Sequence, residues 1–192
     1  YRFNPSNPYA ATKASAELLV NSYVKTYDLD CVITRCTNNY GPRQFYEKLI
    51  PKTIFLANHD KKIPIYGTGK NIRDWIFVDD HCDAVHLALE KGKSGESYNI
   101  SANNEIDNLT VIKKILELMN KSEDLIEFVE DRPGHDLRYS MNSSKAMKNL
   151  GWKIKSNFED GLEKTIQWYL ENPVDTNDIT KALESTPWKN SN

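Results

Sequence analysis

Residues 8–27 read as one long helix, and the run after it, Cys31-Val32-Ile33-Thr34-Arg35-Cys36, is short, β-branched and apolar, which predicts a buried strand. A helix feeding a buried strand is half of a βαβ unit, so this pair of elements points to an α/β fold with a parallel sheet. The helix carries its own start signal. Pro8 suits the first helical position, where its missing N–H is not needed, and Asn7 can cap the turn. Tyr9 and Lys13 are then four apart and share one face. A phenol ionises near pH ~10, and a neighbouring ammonium favours the phenolate, so a Tyr–Lys pair one turn apart is a proton-transfer device. The spacing alone arises by chance in many chains, and two ordinary surface residues satisfy it equally well. Ala10, Ala14, Leu18 and Val24 fall broadly on one side and give the helix a face for close packing.

Composition removes several function classes. A net charge of −2 gives no global attraction to nucleic acid or to an anionic membrane, and basic residues form no nucleic-acid stripe. No apolar run approaches the ~20 residues of a membrane span. The 192 residues suffice for one domain, or for a domain with a small appendage. Three cysteines is an odd number; Cys31 and Cys36 read as reduced, buried thiols of a cytoplasmic protein. The chain opens on Tyr1-Arg2-Phe3 rather than on methionine, and shows no signal peptide, which permits it to be the C-terminal part of something longer.

Along the chain, Thr37-Asn38-Asn39-Tyr40-Gly41-Pro42 reads as the loop leaving the first strand, at the end where open parallel sheets bind ligands. Its adjacent asparagines offer amide donors and acceptors, although Asn, Gly and Pro also make plain turns. A helix to about Asn58 follows, and Lys48 before it could meet a phosphate. Lys62 to Gly67 predicts an edge strand with Pro64 in it; Gly67-Thr68-Gly69 turns the chain, and Arg73 to Val78 returns as the second arm of a hairpin. Asp79-Asp80-His81-Cys82-Asp83 lacks metal-ligand spacing and reads as the acidic start of a helix that stops near Gly92. Strands at 97–100 and 125–129 and a helix at 109–119 follow. Asp131-Arg132-Pro133-Gly134-His135-Asp136 is then a polar loop suited to a phosphate or a sugar, or simply a solvated turn. Ser143 or Ser144 can cap a short helix ending at Gly151-Trp152, and Phe158 to Leu170 is a last amphipathic helix. No Gly-rich dinucleotide fingerprint, nucleophile elbow, phosphate-binding P-loop or zinc framework is present in these residues.

Taken in order, these stretches resemble the C-terminal portion of the dTDP-glucose 4,6-dehydratases, in the extended short-chain dehydrogenase/reductase superfamily. The resemblance runs from Asn7 to about residue 172. It rests on Asn7-Pro8-Tyr9-Ala10-Ala11-Thr12-Lys13-Ala14-Ser15, on Thr37 to Pro42, and on Glu47-Lys48-Leu49-Ile50-Pro51. Further on it rests on Pro64-Ile65-Tyr66-Gly67, Ile72-Arg73-Asp74-Trp75, Tyr98-Asn99-Ile100, Asp131 to Asp136 and Leu150-Gly151-Trp152. The resemblance implies an α/β fold: the C-terminal part of a Rossmann-type parallel sheet plus a small mixed α/β substrate-binding domain. Residues 1–43 would be the remnant of the dinucleotide-binding domain. Residues 44–172 would mainly form the nucleotide-sugar domain, with some segments returning to the parallel sheet, and 173–192 a poorly ordered tail.

The same resemblance assigns roles. Tyr9 would be the base that takes the proton from the sugar 4-hydroxyl while hydride goes to NAD, and Lys13 its partner on the nicotinamide ribose. Asn39 would contact the cofactor and Asn38 the substrate. Lys48, Leu49, Pro64, Ile65, Tyr66, Arg73, Asn108, Asp131, Arg132, Pro133, Gly134 and His135 would line the nucleotide-sugar site, with Arg73 and Arg132 on the diphosphate. No metal is implied. The family's Gly-rich cofactor grip and its acidic dehydration pair lie upstream of the Tyr motif. The expectation is therefore a fragment without activity of its own, from a protein that is a homodimer at full length. A nucleotide-sugar 4-epimerase or decarboxylase with the same Tyr–Lys pair is the near alternative; a non-catalytic sugar-nucleotide-binding module is the alternative of another class.

Overall fold

The computed structural model describes residues 4–175 together with Ile179 and Leu183. Helix α1 runs from Pro8 to Tyr27, with the Asn7 side chain accepting the Ala10 N–H at 2.9 Å and Asp28 ending it at φ 52°. Ala10, Ala14, Glu17 and Val24 form a half-buried stripe along it. Glu17 anchors that stripe through both its oxygens to Arg35, at 2.6 and 2.5 Å. Leu18 does not share the stripe and is 57% exposed. Each i+4 step overshoots a full turn, so the residue eight positions past Ala10 has rotated about 80° away from it. Leu19, Tyr23 and Tyr27 are exposed as well, and no residue of α1 is fully buried.

Strand β1 (Ile33–Cys36) pairs in parallel with β5 (Ser97–Ile100), Ile33 facing Ser97 in register. Among the described residues that is its only partner strand. Cys31 and Cys36 are free thiols but half-buried rather than buried. The expected loop after β1 is partly a strand: β2 (Asn38–Tyr40) lies parallel to β4 (Ile72–Phe77), with Asn38 opposite Trp75. Asparagine is a poor strand former, but Tyr40 is buried in the core and draws its neighbours into the ladder. β4 also takes β6 (Glu105–Asp107) antiparallel and β8 (Arg138–Tyr139) parallel.

The expected hairpin is not formed. β3 (Ile63–Tyr66) pairs in parallel with β7 (Ile126–Val129), not with β4. The glycines do turn the chain, at φ 57° for Gly67 and 70° for Gly69. The turn's backbone groups, however, bond to Val129 and Leu109 rather than to an opposing strand, so the chain leaves for a different sheet.

The helices are α2 (Leu49–Asn58), α3 (Val78–Lys91), α4 (Asn108–Leu118), α5 (Ser144–Leu150) and α6 (Phe158–Glu171). The alternation of β4 divides the interior in two. Trp75 and Phe77 enter a larger core with Ile50, Ile54, Ile112, Ile115 and Leu162; Ile76, from the other face, enters a smaller one with Ala84, Tyr98, Ile100, Leu150 and Trp152. Ser143 holds the N-cap place of α5, but its hydroxyl donates to Ser101 O at 3.0 Å, and Asn142 Oδ1 accepts the Ser144 N–H instead. The tail expected at 173–192 lies mostly outside the described residues; within it Ile179 is buried in the larger core and Leu183 packs against it. No described helix is long and apolar enough to cross a membrane.

Asp79 and Asp80 do open α3, and Asp80 has a second task. It is buried and accepts the backbone N–H groups of Lys155 at 3.1 Å and Ser156 at 3.0 Å. Asp80→Ala would strand two donors and is expected to lower stability by about 2–4 kcal/mol in urea denaturation, with Asp80→Asn falling between it and the parent. A loss within about 0.5 kcal/mol would show that water replaces the carboxylate freely.

Candidate active site

Tyr9 stands in the first turn of α1 with its ring 74% exposed, and Lys13 is exposed one turn further on. Tyr139, on β8, is within electrostatic reach of Tyr9. Its hydroxyl donates to the Cys36 carbonyl at 3.3 Å, at the C-terminal end of β1. Burial raises the pKa of this phenol, and charge on Cys36, Tyr9 and Asp136 adds to the effect. Tyr139 thus stands at the sheet end where α/β folds place their chemistry, within that reach of Tyr9.

Beyond Tyr139 the loop from Asp131 to Asp136 connects this point to a basic group. Where a Cβ of Gly134 would sit, Asn7 Cβ is 3.8 Å away, so the loop rests near the cap of α1. At the loop's other side is Arg73 of β4, a buried guanidinium 7% exposed. It donates to Ile72 O at 2.7 Å and to Asp136 O at 2.9 Å, and makes no ion pair with a carboxylate among the described residues. Burial lowers its pKa, Asp136 opposes that, and the nearby Arg132 adds to the lowering. Asn71 donates to the same Asp136 carbonyl at 3.1 Å, and the Asn108 N–H donates to Asn71 O at 3.2 Å, which brings Asn108 into the group.

His135 completes it. Its side chain is 6% exposed, its Nδ1 lies 2.7 Å from Asp131 Oδ1, and its ring meets the Tyr66 ring edge-on with centroids 6.5 Å apart. The His135 hydrogen bond holds the Asp131 carboxyl below the usual carboxylate range. Burial lowers the His135 pKa, the Asp131 hydrogen bond opposes it, and Arg132 and Arg73 lower it further. Gly67 permits the approach, since a Cβ there would come 2.8 Å from Asp131 Oδ2.

The remaining expected residues divide. Asn38 and Asn39 lie on β2, and Asn39 is held by its Nδ2 on Thr37 O at 3.3 Å and by Gln44 Nε2 on its own carbonyl at 2.8 Å. Pro64 and Tyr66 are half-buried, whereas the Ile65 side chain is in the larger core, which leaves only its backbone to meet a ligand. Lys48 is exposed and pairs with Glu47 at 2.7 Å; among the described residues no hydrogen bond or ion pair joins it or Leu49 to the Arg73 group. Two cavities lie apart from the site, about 400 Å³ beside Trp152 and Lys155 and about 440 Å³ between Tyr23 and Val32.

A family model described as GDP-mannose 4,6 dehydratase matches residues 1–165. The chain belongs to this family. Within it, the chain is similar to the dTDP-glucose 4,6-dehydratase of Neisseria gonorrhoeae, at 48% identity over 88% of this chain and 52% of that protein. The crystal structure of dTDP-glucose 4,6-dehydratase from Bacillus anthracis in complex with NAD superposes with a TM-score of 0.84 at 47% identity, covering 88% of this chain and 54% of that one. UDP-glucuronic acid 4-epimerase from Bacillus cereus, in complex with UDP-glucuronic acid and NAD, gives 0.83 at 30% identity, with 88% and 54% covered. The chain spans about half the length of the curated relatives it matches. The expected likeness to the dTDP-glucose 4,6-dehydratases is therefore borne out, as is the α/β fold with parallel strands.

In this dehydratase-family chain, three participants have no clear sequence signal, Tyr139, Asn71 and Gln44, and a fourth, Thr37, reads in the sequence only as part of its loop. Tyr139 lies on a two-residue strand with no periodicity to find. Thr37 is singled out by its hydroxyl: Thr37 Oγ1 and Asn39 Oδ1 are buried and have no hydrogen-bond partner among the described residues. They sit two residues apart, hence on one face of the chain, where a ligand carrying both a donor and an acceptor would satisfy them. A hydroxyl that can donate or accept and an amide oxygen that accepts fit the amide and hydroxyl groups of a nicotinamide dinucleotide.

Proposed function

We propose that this chain carries the Tyr–Lys pair and the nucleotide-sugar side of a dTDP-glucose 4,6-dehydratase. In that reaction C4 of the sugar is oxidised, water is lost across C5–C6 and hydride returns to C6. The observation that carries the reading is Arg73. A buried guanidinium whose hydrogen bonds among the described residues all go to carbonyls is a ready anion site, and Arg132 and His135 stand beside it. A diphosphate held there directs its sugar along the loop toward Tyr139 and Tyr9. Tyr9 takes the proton of the 4-hydroxyl, with Lys13 one turn away on the same face of α1. Asn39 and Thr37 would hold the cofactor, and NAD, when bound, would supply the hydride acceptor and donor. The similarity to dTDP-glucose 4,6-dehydratases at 45–48% identity supports this substrate over the UDP sugars of the epimerases at about 30%.

We further infer that residues 1–43, with β5, α3 and α5 returning to them, form the dinucleotide side, and that most of 44–172 forms the sugar side. The rest of the cofactor grip and the acid–base pair for dehydration belong to the half of the relatives that this chain does not span. A cytoplasmic location and a full-length homodimer belong to the same reading. The Ala10–Ala14 stripe turns toward its own chain through Glu17 and Arg35, so a partner would meet the opposite face of α1, at Leu19 and Tyr23.

Separate calorimetric titrations with dTDP and NAD test the assignment. Measurable dTDP binding, no measurable NAD binding, and no keto sugar formed from dTDP-glucose are expected. Absence of dTDP binding contradicts the site; tight NAD binding or sustained keto-sugar production contradicts the division of labour. Epimerised sugar as the product would favour the 4-epimerase reading.

A further inference from the structure

Lys13 stands between two groups of α1, each one turn away: Tyr9 before it and Glu17 after it. Helix geometry lets a glutamate at that place pair with the Lys13 ammonium, which would occupy the donors that serve Tyr9. The pair is not formed. Both Glu17 oxygens are held by Arg35, whose Nε donates at 2.6 Å and Nη2 at 2.5 Å, and Lys13 makes no hydrogen bond or ion pair among the described residues. We propose that Arg35 is a positioning residue for the Tyr9–Lys13 pair: by holding both oxygens of Glu17 it keeps that carboxylate off Lys13 and reserves the ammonium for the hydroxyl groups of a bound ligand. The inference rests on the Tyr–Lys reading above.

The sheet prepares Arg35 for this task before α1 packs on it. Its register partner across the β1–β5 ladder is Asn99, whose Oδ1 accepts from Arg35 Nη1 at 3.1 Å, and Asn99 Nδ2 donates in turn to Asn142 O at 3.4 Å. One side of the guanidinium is thus fixed from β5, while two parallel donors remain for a carboxylate arriving from α1. A lysine at this position could not present that fork. The Glu17 hydrogen bond raises the Arg35 pKa against the opposing effect of burial, and a guanidinium stays charged throughout the working pH range. Glu17 is half-buried, whereas Lys13 is exposed. A bidentate, partly shielded pair with Arg35 therefore outcompetes a single-point pair at the open surface of the helix. Without Arg35, the nearest cation along α1 for the released carboxylate is Lys13.

Competitive trace acetylation of the whole chain, read peptide by peptide in a mass spectrometer, gives the reactivity of Lys13 relative to Lys25 on the last turn of the same helix. An ammonium held by a carboxylate yields its reactive amine less readily. In Arg35→Gln the released Glu17 pairs with Lys13, and the Lys13-to-Lys25 ratio falls about 2- to 3-fold, the size of an i, i+4 ion pair. In the double variant Arg35→Gln with Glu17→Gln there is no carboxylate to release, and the ratio returns to that of the parent. A clamp that only fastened α1 to the sheet would be missing from both variants alike. A ratio unchanged in the single variant, or still low in the double variant, therefore overturns the inference. Should the variants not fold, nuclear magnetic resonance of the parent chain decides. Scalar coupling across a hydrogen bond to the Glu17 carboxylate is expected from Arg35 and not from Lys13; coupling from Lys13 overturns the inference. None of these readouts needs a ligand, so the predicted pattern in a chain that binds no dTDP-glucose overturns the nucleotide-sugar reading while supporting the hold of Arg35 on Glu17.

Discussion

Arg73→Ala is expected to lower the affinity of the chain for dTDP-glucose about 100-fold, roughly 3 kcal/mol, as measured by titration calorimetry at pH 7.5. The size follows from the site. Arg73 is buried and donates to carbonyls, and an anion bound against it would be largely desolvated, so both charge and geometry are lost with the side chain. Arg73→Lys should recover only part of the loss, because an ammonium cannot present the guanidinium's parallel donors. Arg132 is exposed and better screened, and Arg132→Ala should cost less, about 5- to 10-fold. Equal losses at the two positions would mean that the diphosphate lies outside, against Arg132, with Arg73 merely holding the loop.

The second large effect is on stability. Trp152→Ala should cost about 3–5 kcal/mol in urea denaturation, a large part of the whole stability of a domain of this size. Trp152 is 1% exposed and fills the smaller core against Ile76, Ala84, Tyr98 and Leu150. Its indole Nε1 also donates to Asp80 O at 3.0 Å, so the substitution opens a cavity and removes a buried hydrogen bond together. Trp152→Phe keeps most of the volume and should cost about half as much. The consequence reaches the site, since this core supports β5, and β5 supports β1 and the Cys36 carbonyl that holds Tyr139. Because Asp80 joins both positions, Asp80→Ala and Trp152→Ala together should cost less than the sum of the two.

How far the sequence could be read follows from what each element depends on. The cap and stripe of α1, the apolar run of β1 and the periodicities of α4 and α6 are local properties, and residue types reveal them. β6 and β8 are not local. Glu105-Ile106-Asp107 and Arg138-Tyr139 become strands only because β4 offers them two edges. The false hairpin has the same origin: Gly67-Thr68-Gly69 specifies a turn, but the choice of β7 over β4 as partner for β3 lies some 60 residues away in the chain. At the site, the loop from Asp131 to His135 declares itself by composition, and Arg73 by its place in a family-like stretch. Tyr139, Asn71 and the unpartnered Thr37 hydroxyl emerge only when strands distant in sequence come together. Ile65 shows the reverse, since its position next to Tyr66 says nothing of a side chain that alternation sends into the core.

The central claim is that a nucleotide diphosphate binds at Arg73 with its sugar directed toward Tyr9. Nuclear magnetic resonance of the isotope-labelled chain during titration with dTDP-glucose tests it most directly. The account predicts saturable shifts of the Arg73 Nε–H and His135 ring signals, together with through-space contacts from the glucose protons to the Tyr9 and Tyr139 rings. Saturable binding that leaves those signals unmoved, or that instead perturbs the cavity beside Trp152 and Lys155, would contradict it.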